Sequence, residues 1–101
     1  MTQEVKAAKV QDIPVGQGIV AQLGEQSIAI FNVEGKFYAI DNACCHRGGP
    51  LGEGELEASV VTCPWHAWRF DVRTGENPDL PKAKVKPYAL RVEGEDIWIS
   101  L

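Results

Sequence analysis

Four residues in this chain form two matched pairs: Cys44 with His46, and Cys63 with His66. The pattern is Cys-x-His, sixteen intervening residues, then Cys-x-x-His. Each half offers one thiolate and one imidazole on a short stretch. Two sulfur and two nitrogen donors suit a structural zinc ion, which accepts both types in tetrahedral sets. They also suit a 2Fe–2S cluster in which two thiolates hold one iron and two imidazoles hold the other. Classical zinc fingers group Cys with Cys and His with His. Here the types are interleaved, which favours the cluster. Nucleophilic Cys–His catalysis needs one pair and leaves the second unexplained.

The flanking residues sharpen the reading. The first box is Cys44-Cys45-His46-Arg47-Gly48-Gly49-Pro50-Leu51, and the second is Cys63-Pro64-Trp65-His66-Ala67-Trp68. Together they resemble the ligand boxes of Rieske-type iron–sulfur proteins. At this length the chain looks like the free-standing ferredoxin of bacterial aromatic-ring-hydroxylating dioxygenase systems. The resemblance covers most of the chain and implies one Rieske-type 2Fe–2S cluster. Cys44 and Cys63 would hold the inner iron, and His46 and His66 the outer one. The implied fold is all-β: an antiparallel sandwich or barrel base with a small cluster-binding subdomain over about 43–77. The implied function is a soluble one-electron carrier with no substrate pocket, and so not an enzyme. It would take electrons from an NAD(P)H-dependent flavin reductase and pass them to a terminal ring-hydroxylating dioxygenase. Two other roles stay open. One is the small Rieske-like subunit of an assimilatory nitrite reductase, although such subunits often lack some of the ligands present here. The other is a zinc-stabilised interaction module.

Residues that are missing also inform. High-potential Rieske proteins carry an extra cysteine in each box, joined by a disulfide. The corresponding positions here look like Gly49 and Trp65, so that bridge is impossible. Those proteins also place Ser and Tyr hydroxyls near the cluster, where this chain has Trp68 and Phe70. Fewer hydrogen bonds mean less stabilisation of the more negative reduced state. The expected potential therefore lies near the low end of the Rieske range, roughly −150 mV. Ala67 stands where the family commonly has glycine. Cys45 is expected to be a small neighbour of the cluster and not a ligand. Trp65, Trp68 and Phe70 read as packing residues, some of them shielding the cluster from water. Asn77-Pro78-Asp79-Leu80-Pro81 looks like the family's third, proline-bearing loop over the cluster.

Such boxes need elements that present them. Glycine and proline punctuate the chain every few residues, as in an all-β domain, and no segment carries a helical period. The pattern predicts strands over 4–10, 18–23, 26–33, 36–41, 60–62, 69–71, 86–92 and 96–101. Glu34-Gly35 and Glu93-Gly94-Glu95 read as hairpin turns. Both boxes follow directly on predicted strands, and Trp98 between Ile97 and Ile99 reads as core. Glu53, Glu55 and Glu57 alternate, as do Lys82, Lys84 and Lys86; each set is expected to be ordinary solvated surface. The length of 101 residues predicts a single domain over 1–101. A net charge of −4 argues against nucleic-acid binding. No long apolar run predicts a membrane span. Three cysteines beside two histidines read as metal ligands in a reducing cytoplasm. A monomer is expected.

Overall fold

The computed structural model describes residues 4–43, 49–65, 67–80 and 82–101. Within them ten strands follow in order: β1 Glu4–Lys9, β2 Gly18–Leu23, β3 Gln26–Val33, β4 Lys36–Asp41, β5 Glu55–Glu57, β6 Val60–Thr62, β7 Arg69–Asp71, β8 Pro87–Tyr88, β9 Leu90–Glu93 and β10 Asp96–Ser100. The fold is all-β. Every pair of these strands that shares a ladder runs antiparallel. Three sheets result, ordered β1-β10-β9, β2-β3-β4-β8 and β5-β6-β7.

The apolar run of β3 explains how the sheets stack. Side chains alternate between the faces of a strand, yet Ile28, Ala29, Ile30 and Phe31 are all buried. Ile28 and Ile30 join Ile13, Ala21, Ala39, Ile97 and Ile99 in one core. Ala29 and Phe31 join Ile40, Leu51, Val61, Cys63, Phe70, Val72 and Val85 in a second. The β2-β3-β4-β8 sheet is therefore a middle layer. One face packs on the β1-β10-β9 sheet, and the other on the β5-β6-β7 sheet that leads to the second ligand box.

Seven of the eight expected strands agree with the structure to within a residue at each end. Tertiary pairing altered the eighth. Residues 86–92 do not form one strand: β8 pairs with β4, and β9 pairs with β10. The chain changes sheets at Ala89, whose carbonyl accepts the Ser100 N–H at 2.9 Å. The alternation Glu-Leu-Glu at 55–57 marks β5, which the sequence reading left as connecting chain. Leu56 turns in against the core while both carboxylates face out. Trp98 does not share the buried side of β10. It lies on the face opposite Ile97 and Ile99, half-buried beneath the Arg91 guanidinium, 5.3 Å from the ring centre. The Glu34-Gly35 turn has positive φ at both residues, 53° and 94°. That is the twist a two-residue hairpin requires.

Candidate metal centre

The second box is the loop of a hairpin. Thr62 pairs with Arg69 across β6 and β7, and residues 63–68 lie between them. Two backbone bonds close the loop. The Cys63 N–H donates to the Trp68 carbonyl at 2.7 Å, and the Ala67 N–H donates to the Cys63 carbonyl at 3.0 Å. Ala67 meets this turn with φ of 59°, in the left-handed region. A β-carbon is disfavoured there, which gives a physical reason for glycine at this place. Cys63 is only 2% exposed and packs with Val61, Leu51 and Phe70. Its sulfur is set by the core and not by the solvent.

The first box spans the same number of residues. Ala43 and Pro50 form an isolated antiparallel bridge, and residues 44–49 lie between them. Asn42 closes the neck twice. Its carbonyl accepts the Leu51 N–H and its side-chain Oδ1 accepts the Gly52 N–H, each at 2.8 Å. The Asp41 N–H donates to the Lys86 carbonyl at 2.9 Å, which ties the entry strand to the chain before β8. The Tyr88 hydroxyl donates to Asp41 Oδ1 at 2.6 Å, with Gln26 Oε1 2.9 Å away. Burial and then the neighbouring Asp41 carboxylate push the Tyr88 hydroxyl up to about 12.

The two loops meet. A β-carbon built at buried Gly49 would stand 2.6 Å from Cys63 Sγ and 3.1 Å from Cγ of Trp65. Only glycine lets the exit of the first loop come this close to the second-loop sulfur. Of the four predicted ligands, Cys63 lies within the described residues, at this meeting point. Cys44, His46 and His66 lie outside them, as do Cys45 and Arg47. The described part of the site fits the group the sequence implies: one buried thiol and a glycine cradle against its sulfur.

The surrounding aromatics divide by role. Phe70 is fully buried in the core, and Trp68 packs half-buried against it. Trp65 departs from the packing expectation: at 57% exposure its ring presents to solvent beside Gly49. Residues 77–80 of the expected third loop are well anchored, while Pro81 lies outside the described residues. Asn77, 3% exposed, accepts the Asp79 and Leu80 N–H groups through Oδ1 at 2.7 and 3.0 Å. Arg69 grips Asp79 with both arms, Nε to Oδ2 at 2.9 Å and an Nη to Oδ1 at 2.5 Å. The guanidinium holds the Asp79 carboxyl below the usual carboxylate range. The sequence reading missed this pair, because nothing in the spacing of Arg69 and Asp79 announces it. Glu53, Glu55 and Glu57 are exposed, as are Lys82, Lys84 and Lys86. The Lys86 ammonium sits 4.9 Å from the centre of the Tyr88 ring.

Comparison with known proteins agrees with this geometry. Residues 3–90 match the family model described as "Rieske [2Fe-2S] domain". A curated relative from Ralstonia sp, "Naphthalene 1,2-dioxygenase/salicylate 5-hydroxylase systems, ferredoxin component", is 36% identical. The match spans 103 aligned positions, covering 100% of this chain and 99% of the relative. Among solved structures, the ferredoxin of carbazole 1,9a-dioxygenase from Nocardioides aromaticivorans IC177 superposes with a TM-score of 0.88 at 30% identity, covering 96% of each chain. A chain from a complex of reduced oxygenase and oxidised ferredoxin of carbazole 1,9a-dioxygenase superposes with a TM-score of 0.86 at 25% identity. That match covers 96% of this chain and 92% of the other.

Proposed function

This chain belongs to the Rieske [2Fe-2S] domain family, and on that premise we propose that Cys44 and Cys63 hold one iron of its cluster while His46 and His66 hold the other. It is an electron carrier with one Rieske-type 2Fe–2S cluster, and not itself an enzyme. The observation that carries the ligand set is the contact between Gly49 and Cys63 Sγ. It sets Gly49, at the exit of the first box, against the sulfur of the second. Residues 43–77, with both boxes and the β5-β6-β7 sheet, form the cluster-binding part of a single domain.

When bound, such a cluster gains and loses one electron at a time. The chain's own residues do the rest. Val61, Leu51 and Phe70 wall the inner side of Cys63 with apolar surface. The closed turn between Cys63 and Trp68 holds the Cys63 backbone in place. Trp65 gives the loop an exposed aromatic face for a partner to cover. The partners are a flavin-dependent ferredoxin reductase on the donor side and a terminal oxygenase on the acceptor side. The relatives named as ferredoxin components of dioxygenase systems support that placement. The protein works as a cytoplasmic monomer, without nucleic acid or membrane. No helix among the described residues is long and apolar enough to span a bilayer.

Single replacement of Cys44, His46, Cys63 or His66 by Ala tests the ligand set. Each should abolish cluster assembly, read as iron content, visible spectrum and the EPR signal of the reduced protein. Cys45→Ser should retain all three. A folded Cys45→Ser protein without iron, or a histidine variant with an unchanged EPR signal, would refute the assignment. Stoichiometric zinc in a colourless protein would move the chain to the interaction-module reading. Turnover with a nitrite reductase catalytic subunit, and none with an oxygenase, would move it to the nitrite reductase reading.

A further inference from the structure

We propose that a trough between β2 and β5 seats an extended, lysine- or arginine-bearing segment of the terminal oxygenase. The proposal rests on the reading above that this chain delivers electrons to such an oxygenase. β2 and β5 are end strands of two different sheets. Between them, beside the single helical turn Leu51–Glu53, lies an open trough of about 720 Å³.

Three features of the lining point to a basic peptide. Gly16, Gly18, Gly52 and Gly54 all line the trough, so main chain is accessible along it. End strands with uncovered main chain take up extended segments by adding a strand. Apolar side chains are the second feature. Val20 lines the trough and is 39% exposed, and Val15, next to Gly16, is 65% exposed. Covering them removes apolar surface from water. The third feature is charge. Glu53 and Glu55 line the trough and are exposed, and no ion pair among the described residues reaches either. The β1-β10-β9 sheet is different: Glu4 and Glu93 both bond to Arg91, and Lys6 pairs with Asp96. That sheet neutralises its own charges, whereas the trough leaves two carboxylates for cations from outside.

The position of the trough selects the acceptor over the donor. Gly52 lies three residues past Gly49, and its N–H donates to Asn42 Oδ1 at the neck of the first box. A cation held here therefore sits beside the loops whose charge changes. Reduction adds one negative charge to the carrier. An acceptor gains from binding the reduced carrier more tightly than the oxidised one it must release, and a nearby cation gives that preference. A donor needs the reverse.

The experiment uses a terminal oxygenase that the wild-type protein reduces. Its affinity is measured by calorimetry for wild type, for Glu53→Gln with Glu55→Gln, and for Glu25→Gln with Glu76→Gln. The last pair removes the same charge from exposed carboxylates outside the trough. Each variant is first shown to melt like wild type and to keep its EPR signal. The trough variant should bind about three- to ten-fold more weakly, the scale of two exposed ion pairs. The control variant should bind like wild type. Amide exchange across 16–20 and 53–56 should slow when the wild-type protein is bound, because an added strand covers main chain. Reduced wild type should bind more tightly than oxidised. Equal weakening in both variants, no weakening in either, or protection only outside the trough would overturn the proposal. Tighter binding of the oxidised form would overturn the assignment to the acceptor. A wild-type protein that reduces no oxygenase would overturn the functional reading, and the proposal with it, so the two failures are distinct.

Discussion

The two ligand boxes span equal numbers of residues and differ in how they are held. Residues 63–68 sit at the end of a three-pair ladder, Val60–Thr62 against Arg69–Asp71. Residues 44–49 are closed by one isolated bridge between Ala43 and Pro50. The second loop draws its order from backbone pairing, and Cys63 is buried where that pairing ends. The neck of the first box has few backbone bonds and adds side-chain ones to them: Asn42 to Gly52, and Tyr88 to Asp41. A ladder spreads its strength over many bonds, whereas a side-chain neck concentrates it in one or two. Single substitutions should therefore hurt the first loop more than the second.

The largest effect should come where the loops touch. Gly49→Val places a branched side chain where even a β-carbon would lie 2.6 Å from Cys63 Sγ. Overpacking of this kind costs about 1–3 kcal/mol, and the strain falls on the proposed ligand itself. Iron content after anaerobic purification should fall to a small fraction of wild type. Full occupancy with an unchanged spectrum would show that the loops do not meet in this way.

Asn42→Ala should come next. It leaves the buried Gly52 N–H without its partner, a cost of about 1–3 kcal/mol. Chemical denaturation measures the loss. Amide exchange measures its location: Leu51 and Gly52 should exchange faster, while Cys63 and Ala67 keep their rates. Equal acceleration in both loops would erase the contrast between side-chain and ladder closure.

Ala67→Gly runs the other way. The φ of 59° disfavours alanine by about 1 kcal/mol, and the exposed methyl has no core packing to lose. Melting temperature should rise with the cluster retained. Ala58, with φ of 55° in the β5–β6 turn, offers a control away from the ligand turn. An unchanged or lower melting temperature for Ala67→Gly would show that the second turn carries no strain.

The smallest effect concerns Tyr88 and alkaline pH. Its hydroxyl titrates near 12 in the folded protein, above its ordinary value of 10.0. Between those values the unfolded chain releases a proton that the folded one keeps. The stabilisation is thus complete below about pH 10 and lost as pH rises through about 12. Tyr88→Phe should remove this part of the alkaline decline and mildly loosen the first-loop neck. Superimposable pH–stability curves for the two proteins would remove Tyr88 from the neck.

Much of this molecule is legible in its residue order because the relevant physics is local. Alternation and apolar runs mark β2, β3, β4, β6 and β7, since a strand's two faces repeat every second residue. Glu34-Gly35 marks its turn because few residues accept positive φ. The interleaved Cys and His pairs point to iron because donor type and spacing are chemical properties of the chain. Tertiary structure decided what depends on distant neighbours. Residues 86–92 look like one strand until two sheets compete for them at Ala89. Glu55–Glu57 is too short to announce itself without β6 beside it. Trp98 is apolar and lies between two core isoleucines, yet the pleat turns it to the other face beneath Arg91. Arg69 and Asp79 are ten residues apart on different elements, and only the fold makes them a pair. The close approach of Gly49 to Cys63 is of the same kind. Sequence names the glycine and the thiol, but their contact exists only once two loops from different layers converge.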